Sequence, residues 1–196
     1  GTSFGSLGAR REMLVGFLAE PALLMVIFTV AMIAQSTSVA TIVETLSHRE
    51  YLIYPSLAFA GIAFTFVSFA ENARVPVDNP ATHLELTMIH EAMILEYSGR
   101  HLALIEWASS LKLYAYSCLG LALFFPWGIA ERDNFMALVM AIPLLLIKLT
   151  IGGFCLAFLE TINAKVRIFR VPEFLGTAFL LAVLGLLVRL LLETKV

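Results

Sequence analysis

The chain is predicted to be an all-α polytopic membrane protein, on the strength of its composition and its long apolar runs. Of its 196 residues, 60% are hydrophobic and 14% are charged, whereas soluble domains are about 45–50% apolar and roughly 25% charged. So much apolar surface requires lipid around it. The net charge of −2 also argues against a nucleic-acid partner, since such partners favour basic surfaces.

Five apolar runs are long enough to cross a bilayer, because a spanning helix needs about 20 mainly apolar residues. Lipid offers no hydrogen bonds to the backbone, so each run is predicted to be a helix. We expect one integral membrane domain over residues 1–196, with spans near residues 13–34, 52–70, 102–125, 135–159 and 174–192.

The polar stretch between the second and third runs is the strongest candidate for a functional site. Residues 71–99 hold five of the fifteen acidic residues and two of the four histidines, and ionisable groups at a membrane edge are costly to maintain. Pro76 and Pro80 predict an extended or turned entry. Thr82 followed by Glu85 resembles a capping box, which predicts an amphipathic helix over residues 83–98 at the membrane edge.

The distribution of Lys and Arg in the loops predicts the orientation. Seven basic residues flank one side of the predicted spans and three flank the other. Because the richer side usually faces the cytoplasm, we expect the N-terminus, the acidic loop 71–101 and the loop 160–172 to be cytoplasmic. The expected location is the inner membrane of a prokaryote.

Ionisable residues also occur inside the predicted spans, where an unpaired charge costs several kcal/mol. Carboxylates and lysines whose pKa values are shifted by burial are suited to moving protons. Together with the acids of the loop they predict a polar ion path from the cytoplasmic edge into the bilayer. Its candidate residues are Glu20, Glu71, Glu85, Glu91, Glu96, Glu106, Lys112 and Lys148.

Other patterns in the sequence do not form complete functional motifs. His90-Glu91 begins a zinc-protease pattern, but Ile94 stands where the second histidine ligand belongs. Cys118 and Cys155 lie in apolar runs without ligand spacing, so no metal or iron–sulfur cluster is expected in this chain. The pair Gly152–Gly153 predicts close packing between helices.

The acidic loop resembles a known family. Its start, ENARVPVD from Glu71 to Asp78, is similar to the ETNRxPFD signature of the quinone-site membrane subunit of respiratory complex I. The continuation NPATHLELTMIHEAM, ending at Met93, is similar to the branch that contains formate hydrogenlyase subunit 4 and hydrogenase-4 component C. Arg11 and Glu20 resemble the start of the fourth span in that family.

This resemblance implies a fold and a set of partners. Members have about eight spans, so this chain would supply the last five as a C-terminal part. It implies a non-redox membrane subunit of a group 4 [NiFe]-hydrogenase complex, an oxidoreductase. The nickel-iron and iron–sulfur centres would lie in the large, small and iron–sulfur subunits, beside antiporter-like membrane subunits and lipids. The contact loop beneath the redox arm would contain Arg74, Pro76, Asp78, His83, His90 and Arg100.

Three roles remain open at this point. The subunit couples electron transfer in the redox arm to proton or sodium movement, or it is a passive membrane anchor. As a third alternative it belongs to a quinone-reducing relative, with a quinone cavity near Arg11 and Glu20.

Overall fold

The computed structural model describes residues 3–48, 54–78, 88–130, 135–163 and 170–193, and every regular element in these ranges is a helix. The helices in chain order are α1 Ser3–Ala34, α2 Val39–His48, α3 Pro55–Glu71, α4 His90–Ile94, α5 Gly99–Phe124, α6 Phe135–Ile162 and α7 Val171–Glu193. The all-α prediction is therefore confirmed for the described chain.

Three of the predicted spans are confirmed as helices long and apolar enough to cross a membrane, at Gly5–Ala34, Met136–Ile162 and Val171–Leu192. The helix α3 is apolar but has only 17 residues. The helix α5 has 26 residues, but Arg100, Glu106 and Lys112 make its first half more polar. The chain is thus membrane-embedded, and the count of five spans stays a prediction.

The helices α1, α3 and α7 pack against one another and form the core. Their contacting faces are built from small residues that are fully buried, including Ala19, Ala60 and Ala178. A Cβ atom on Gly185 of α7 would lie 3.0 Å from the carbonyl oxygen of Ser56 in α3. Small side chains of this kind let helix backbones approach closely, which is how helices associate without a hydrophobic driving force in lipid.

The helices place the loops at two ends of this bundle. At one end, which we call the acidic-loop end, residues 71–78 and 88–98 meet the N-terminal half of α1, the last turn of α6 and the start of α7. At the opposite end, Arg189 of α7 lies over the ring of Tyr54, 5.7 Å from its centroid. The N-terminal part of α1, the acidic loop and the residues that flank the loop after α6 thus lie at one end, as the basic residues predicted. That this end faces the cytoplasm is still a prediction.

The helix α2 was not predicted. Its apolar residues Val39, Ile42, Val43 and Leu46 recur at helical spacing, and Ile42 is 2% exposed against α1 and α5. With ten residues it is too short to span a bilayer. It packs at the opposite end of the bundle instead.

The predicted helix over residues 83–98 is wrong at residues 88–89 and 95–98, which are not helical. Residues 79–87, including Pro80, Thr82, His83 and Glu85, lie outside the described ranges, and the described helix is confined to His90–Ile94. The chain must then turn into α5. Ser98 is extended and Gly99 has a φ of 56°, a left-handed conformation that glycine adopts without a Cβ penalty.

The predicted close packing at Gly152–Gly153 is also wrong for the described chain. A Cβ atom on either glycine would have no other described atom within 4 Å. The helix α6 contacts the bundle mainly through α5, so these glycines face a broad groove of about 990 Å³ bounded by α3, α5 and α6.

Candidate functional site

A cleft of about 350 Å³ lies at the acidic-loop end of the bundle. It is formed where the N-terminal half of α1 meets the end of α3, the helix α4 and the first half of α5. Its ionisable lining residues come from five separate segments of the chain: Glu12, Glu20, Glu71, Asp78, His90 and Lys112.

An ion pair between α3 and α5 lies in this cleft. Lys112 Nζ is 2.7 Å from Glu71 Oε2, and the Glu71 side chain is 14% exposed. An ammonium and a carboxylate at this distance neutralise each other, which allows both to occupy a membrane-embedded helix bundle. Lys112 and Glu71 were both predicted for the ion path, and the structure brings them together.

Glu20 belongs to the same cleft. Glu71 Oε1 is 4.0 Å from the Cβ position of Gly16 on α1, and Glu20 lies one helical turn further along. The following residue, Pro21, is inside α1 and has no N–H to donate to the carbonyl of Phe17. A carboxylate and a local break in helical hydrogen bonding therefore occur side by side in the wall of the cleft.

A second pair connects α1 to α4. His90 Nδ1 is 3.5 Å from Glu12 Oε1, and this hydrogen bond raises the pKa of His90 above its usual value, with the charges of Glu12, Asp78 and Glu91 acting in the same direction. Glu12 was missed by the sequence analysis. Its position directly after Arg11, on a helix whose remaining face is apolar, is the signal that could have found it.

Two further residues hold the backbone of the loop against the cleft. The carboxylate of Asp78 accepts hydrogen bonds from the backbone N–H groups of Ile89, at 3.3 Å, and His90, at 3.1 Å. Arg11 Nη1 donates a hydrogen bond of 2.6 Å to the carbonyl oxygen of Met88. Arg11, predicted for a quinone cavity, thus contacts the acidic loop, and Asp78 caps the start of α4.

The remaining contacts of the loop reach the ends of other helices. Arg74 Nη1 lies 3.4 Å from Glu160 Oε1 on α6. The peptide bond between Val75 and Pro76 is cis. Glu96 Oε1 accepts a hydrogen bond of 3.1 Å from the N–H of Gly5, one of the first N–H groups of α1, which have no partner inside the helix. These contacts fix the position of the loop.

Some predicted site residues lie elsewhere. Glu106 and Arg100 are exposed on α5, and Glu91 is partly buried on α4. Lys148 is bound to the carbonyl oxygens of Phe125, at 2.8 Å, and Trp127 at the C-terminal end of α5. Lys112 and Phe125 are thirteen positions apart along α5 and its C-cap, which is about 20 Å at 1.5 Å per residue. Lys148 therefore does not join the cleft.

Comparison with known proteins shows the family of the chain. A sequence model of the NADH dehydrogenase family matches residues 1–191. The chain belongs to the NADH dehydrogenase family. Within this family it is 30% identical over 179 residues to formate hydrogenlyase subunit 4 and 30% identical over 185 residues to hydrogenase-4 component C, both of Escherichia coli (strain K12).

These matches cover 91% and 94% of the chain, and 57% and 58% of the two relatives. The chain thus spans less than two thirds of the length of the curated relatives it matches. The resemblance predicted from the acidic loop is confirmed, and it extends over almost the whole chain.

Proposed function

We propose that the chain is a membrane-arm subunit of a formate hydrogenlyase-type [NiFe]-hydrogenase complex, where it anchors the redox arm and couples electron transfer to proton or sodium movement. The similarity to formate hydrogenlyase subunit 4 and hydrogenase-4 component C supports the type of complex. The observation that carries the coupling role is the Glu71–Lys112 ion pair in a cleft that also contains Glu20.

The proposed mechanism is electrostatic. Glu71 and Lys112 are close enough that the protonation of one depends on the charge of the other. A proton delivered to Glu71 would remove the negative charge beside Lys112, while Glu12 and Glu20 remain as carboxylates of the same cleft. A change of charge in the loop above the cleft shifts this balance, so electron transfer and ion movement are linked without redox chemistry in this chain.

The partners and cofactors follow from the same proposal. In this proposal the nickel-iron and iron–sulfur centres belong to the large, small and iron–sulfur subunits, which contact the loop at Arg74, Pro76 and Arg100. The buried Asp78 and the partly buried His90 shape the loop from inside. Antiporter-like subunits and lipids would contact the membrane helices, where apolar residues of α6 such as Phe154 and Met140 are exposed.

The test compares Glu71→Gln and Lys112→Met with Glu173→Gln in the complete complex reconstituted in liposomes. Glu173 is exposed in the first turn of α7, so it controls for the loss of one carboxylate. We expect Glu71→Gln and Lys112→Met to reduce ion movement per turnover by about 10²-fold, the lower range for a positioned proton-transfer group. Hydrogen turnover measured with an uncoupler should persist.

A passive anchor is the second candidate, and the loop contacts of Arg11, Asp78 and Glu96 favour it because all three hold the loop in place. An anchor predicts that Glu71→Gln either disrupts assembly or has no effect. Full coupling in an assembled Glu71→Gln complex would contradict the coupling role and support the anchor.

A further inference from the structure

We infer that Glu12 and His90 form a proton-exchange pair through which protons pass between the acidic loop and the cleft. This inference rests on the proposed coupling function and deepens it, because it assigns a route to the site. Glu12 lies on α1, outside the family-like loop, and His90 was predicted only as a contact residue of that loop.

The position of the pair carries the inference. His90 belongs to the loop and Glu12 to the first helix, and both line the cleft that contains Glu71, Glu20 and Lys112. Each residue uses one atom for the contact between them, Nδ1 and Oε1. The other atom of each, Nε2 of His90 and Oε2 of Glu12, is buried and has no hydrogen-bond partner among the described residues. Each residue of the pair thus keeps one buried polar atom that the shared contact does not use.

The surrounding charges suit a histidine that holds a proton and releases it. Glu12 from α1, Asp78 from the segment after α3 and Glu91 from α4 face His90, and Lys112 from α5 lines the same cleft. The three acids favour the imidazolium form. Asp78 is already engaged by two backbone N–H groups, which leaves Glu12 as the side chain that accepts from Nδ1.

The transfer involves one proton and no electrons. His90 takes up a proton at its buried Nε2 atom and becomes an imidazolium whose Nδ1–H donates to Glu12. Moving the Nδ1 proton to Glu12 Oε1 leaves a neutral imidazole and a neutral carboxylic acid. Glu12 then releases the proton to a carboxylate of the cleft, Glu71 or Glu20, and returns to its charged form. The neutral imidazole now carries its proton on Nε2, and this proton must move to Nδ1 before the next uptake.

The Glu12–His90 contact makes the attachment of α4 to α1 depend on pH. Because the pKa of His90 is raised, the stabilisation that the pair contributes is complete below the ordinary histidine pKa of 6.5. It is lost as pH rises through the raised value. The fraction of His90 that carries a second ring proton therefore changes above pH 6.5. Histidine can exchange a proton during turnover in this pH range.

The first experiment measures the titration of His90 by histidine C2 hydrogen–deuterium exchange with mass spectrometry, in the intact complex. We expect the midpoint of His90 to shift to lower pH in Glu12→Gln, while Glu173→Gln leaves it unchanged. His101, exposed on α5, provides an internal control in every sample. An identical His90 midpoint in wild type and Glu12→Gln would overturn the pairing.

The second experiment separates proton exchange from a structural latch by measuring ion movement per turnover in His90→Lys, Glu12→Gln and the double variant. Lysine keeps a positive charge opposite Glu12 but holds its proton near neutral pH. We expect His90→Lys to assemble and to lose coupling, and the double variant to be no worse than the more impaired single variant, because the two residues act as a unit. His101→Gln should couple normally.

The outcomes distinguish this inference from the function on which it rests. Full coupling in His90→Lys, with coupling lost in Glu71→Gln, would overturn the proton-exchange role and leave the coupling function standing. Full coupling in Glu71→Gln would remove the proposed function, and the role of Glu12 and His90 with it.

Discussion

Asp78 illustrates how a single buried carboxylate organises the acidic loop. Asp78 is only 2% exposed. Burying a charged carboxylate is costly unless hydrogen bonds satisfy it. The N–H groups of Ile89 and His90 supply those bonds from a segment ten or more residues further along the chain. The carboxylate therefore determines where α4 begins and presents His90 to Glu12.

We expect Asp78→Ala to loosen the segment 88–94 by about 1–2 kcal/mol, the usual effect of removing a helix-capping side chain. Asp78→Asn keeps an acceptor oxygen in the same place and should lose less. Hydrogen–deuterium exchange of backbone amides in that segment measures the difference. Equal protection in wild type and Asp78→Ala would show that the cap does not hold the loop.

Lys148 was predicted for the ion path, but in the structure it holds the helix α6 against the segment that follows α5. The residue is 8% exposed in the middle of α6, and its ammonium group binds carbonyl oxygens at the end of α5 and lies 4.1 Å from the centroid of the Trp127 ring. Both carbonyl groups belong to Phe125 and Trp127, in the segment that directly follows the last residue of α5. The buried cation therefore connects the segment after α5 to α6.

We expect Lys148→Met to destabilise the contact between α5 and α6 by about 1.5–3 kcal/mol, the range for a hydrogen bond to a charged group. Ion movement per turnover by the folded protein should stay unchanged, because Lys148 binds Phe125, about 20 Å along α5 from Lys112. Unfolding of the purified protein in mixed detergent micelles measures the stability, with Thr150→Val on the same helix as the control. A specific loss of coupling at full stability would restore Lys148 to the ion path.

At the scale of the whole molecule, the bundle separates two ends with different chemistry. The acidic-loop end holds the cleft and its paired charges, while the opposite end holds α2, the ring of Tyr54 and the loop that follows α5. This separation follows from helices that alternate in direction along the chain. A redox arm would dock on one end only.

Accessibility of single cysteines tests which end faces the cytoplasm. In a background with Cys118→Ala and Cys155→Ala, we expect Ser98→Cys to react with a membrane-impermeant maleimide only from the cytoplasmic side. Thr37→Cys, at an exposed position in the turn between α1 and α2, should react only from the other side. Labelling of both from one side, or in the reverse pattern, would contradict the orientation predicted from the basic residues.

The sequence by itself determined the helical membrane class, the approximate bounds of its long helices and the family. Apolar length is a local property, and the loop signature is contiguous. The sequence also identified Glu71 and Lys112 as candidate site residues, because an ionisable residue is conspicuous in an apolar background.

Only the tertiary structure decided which charges meet. Glu71 pairs with Lys112, and Glu12 pairs with His90, through contacts between distant segments. Lys148 binds the carbonyl oxygen of Phe125, at the far end of α5 from the cleft, and the backbone N–H of His90 at the start of α4 donates to Asp78. Such facts depend on helix packing and on hydrogen bonds between segments far apart in the chain, which residue spacing within one helix does not encode.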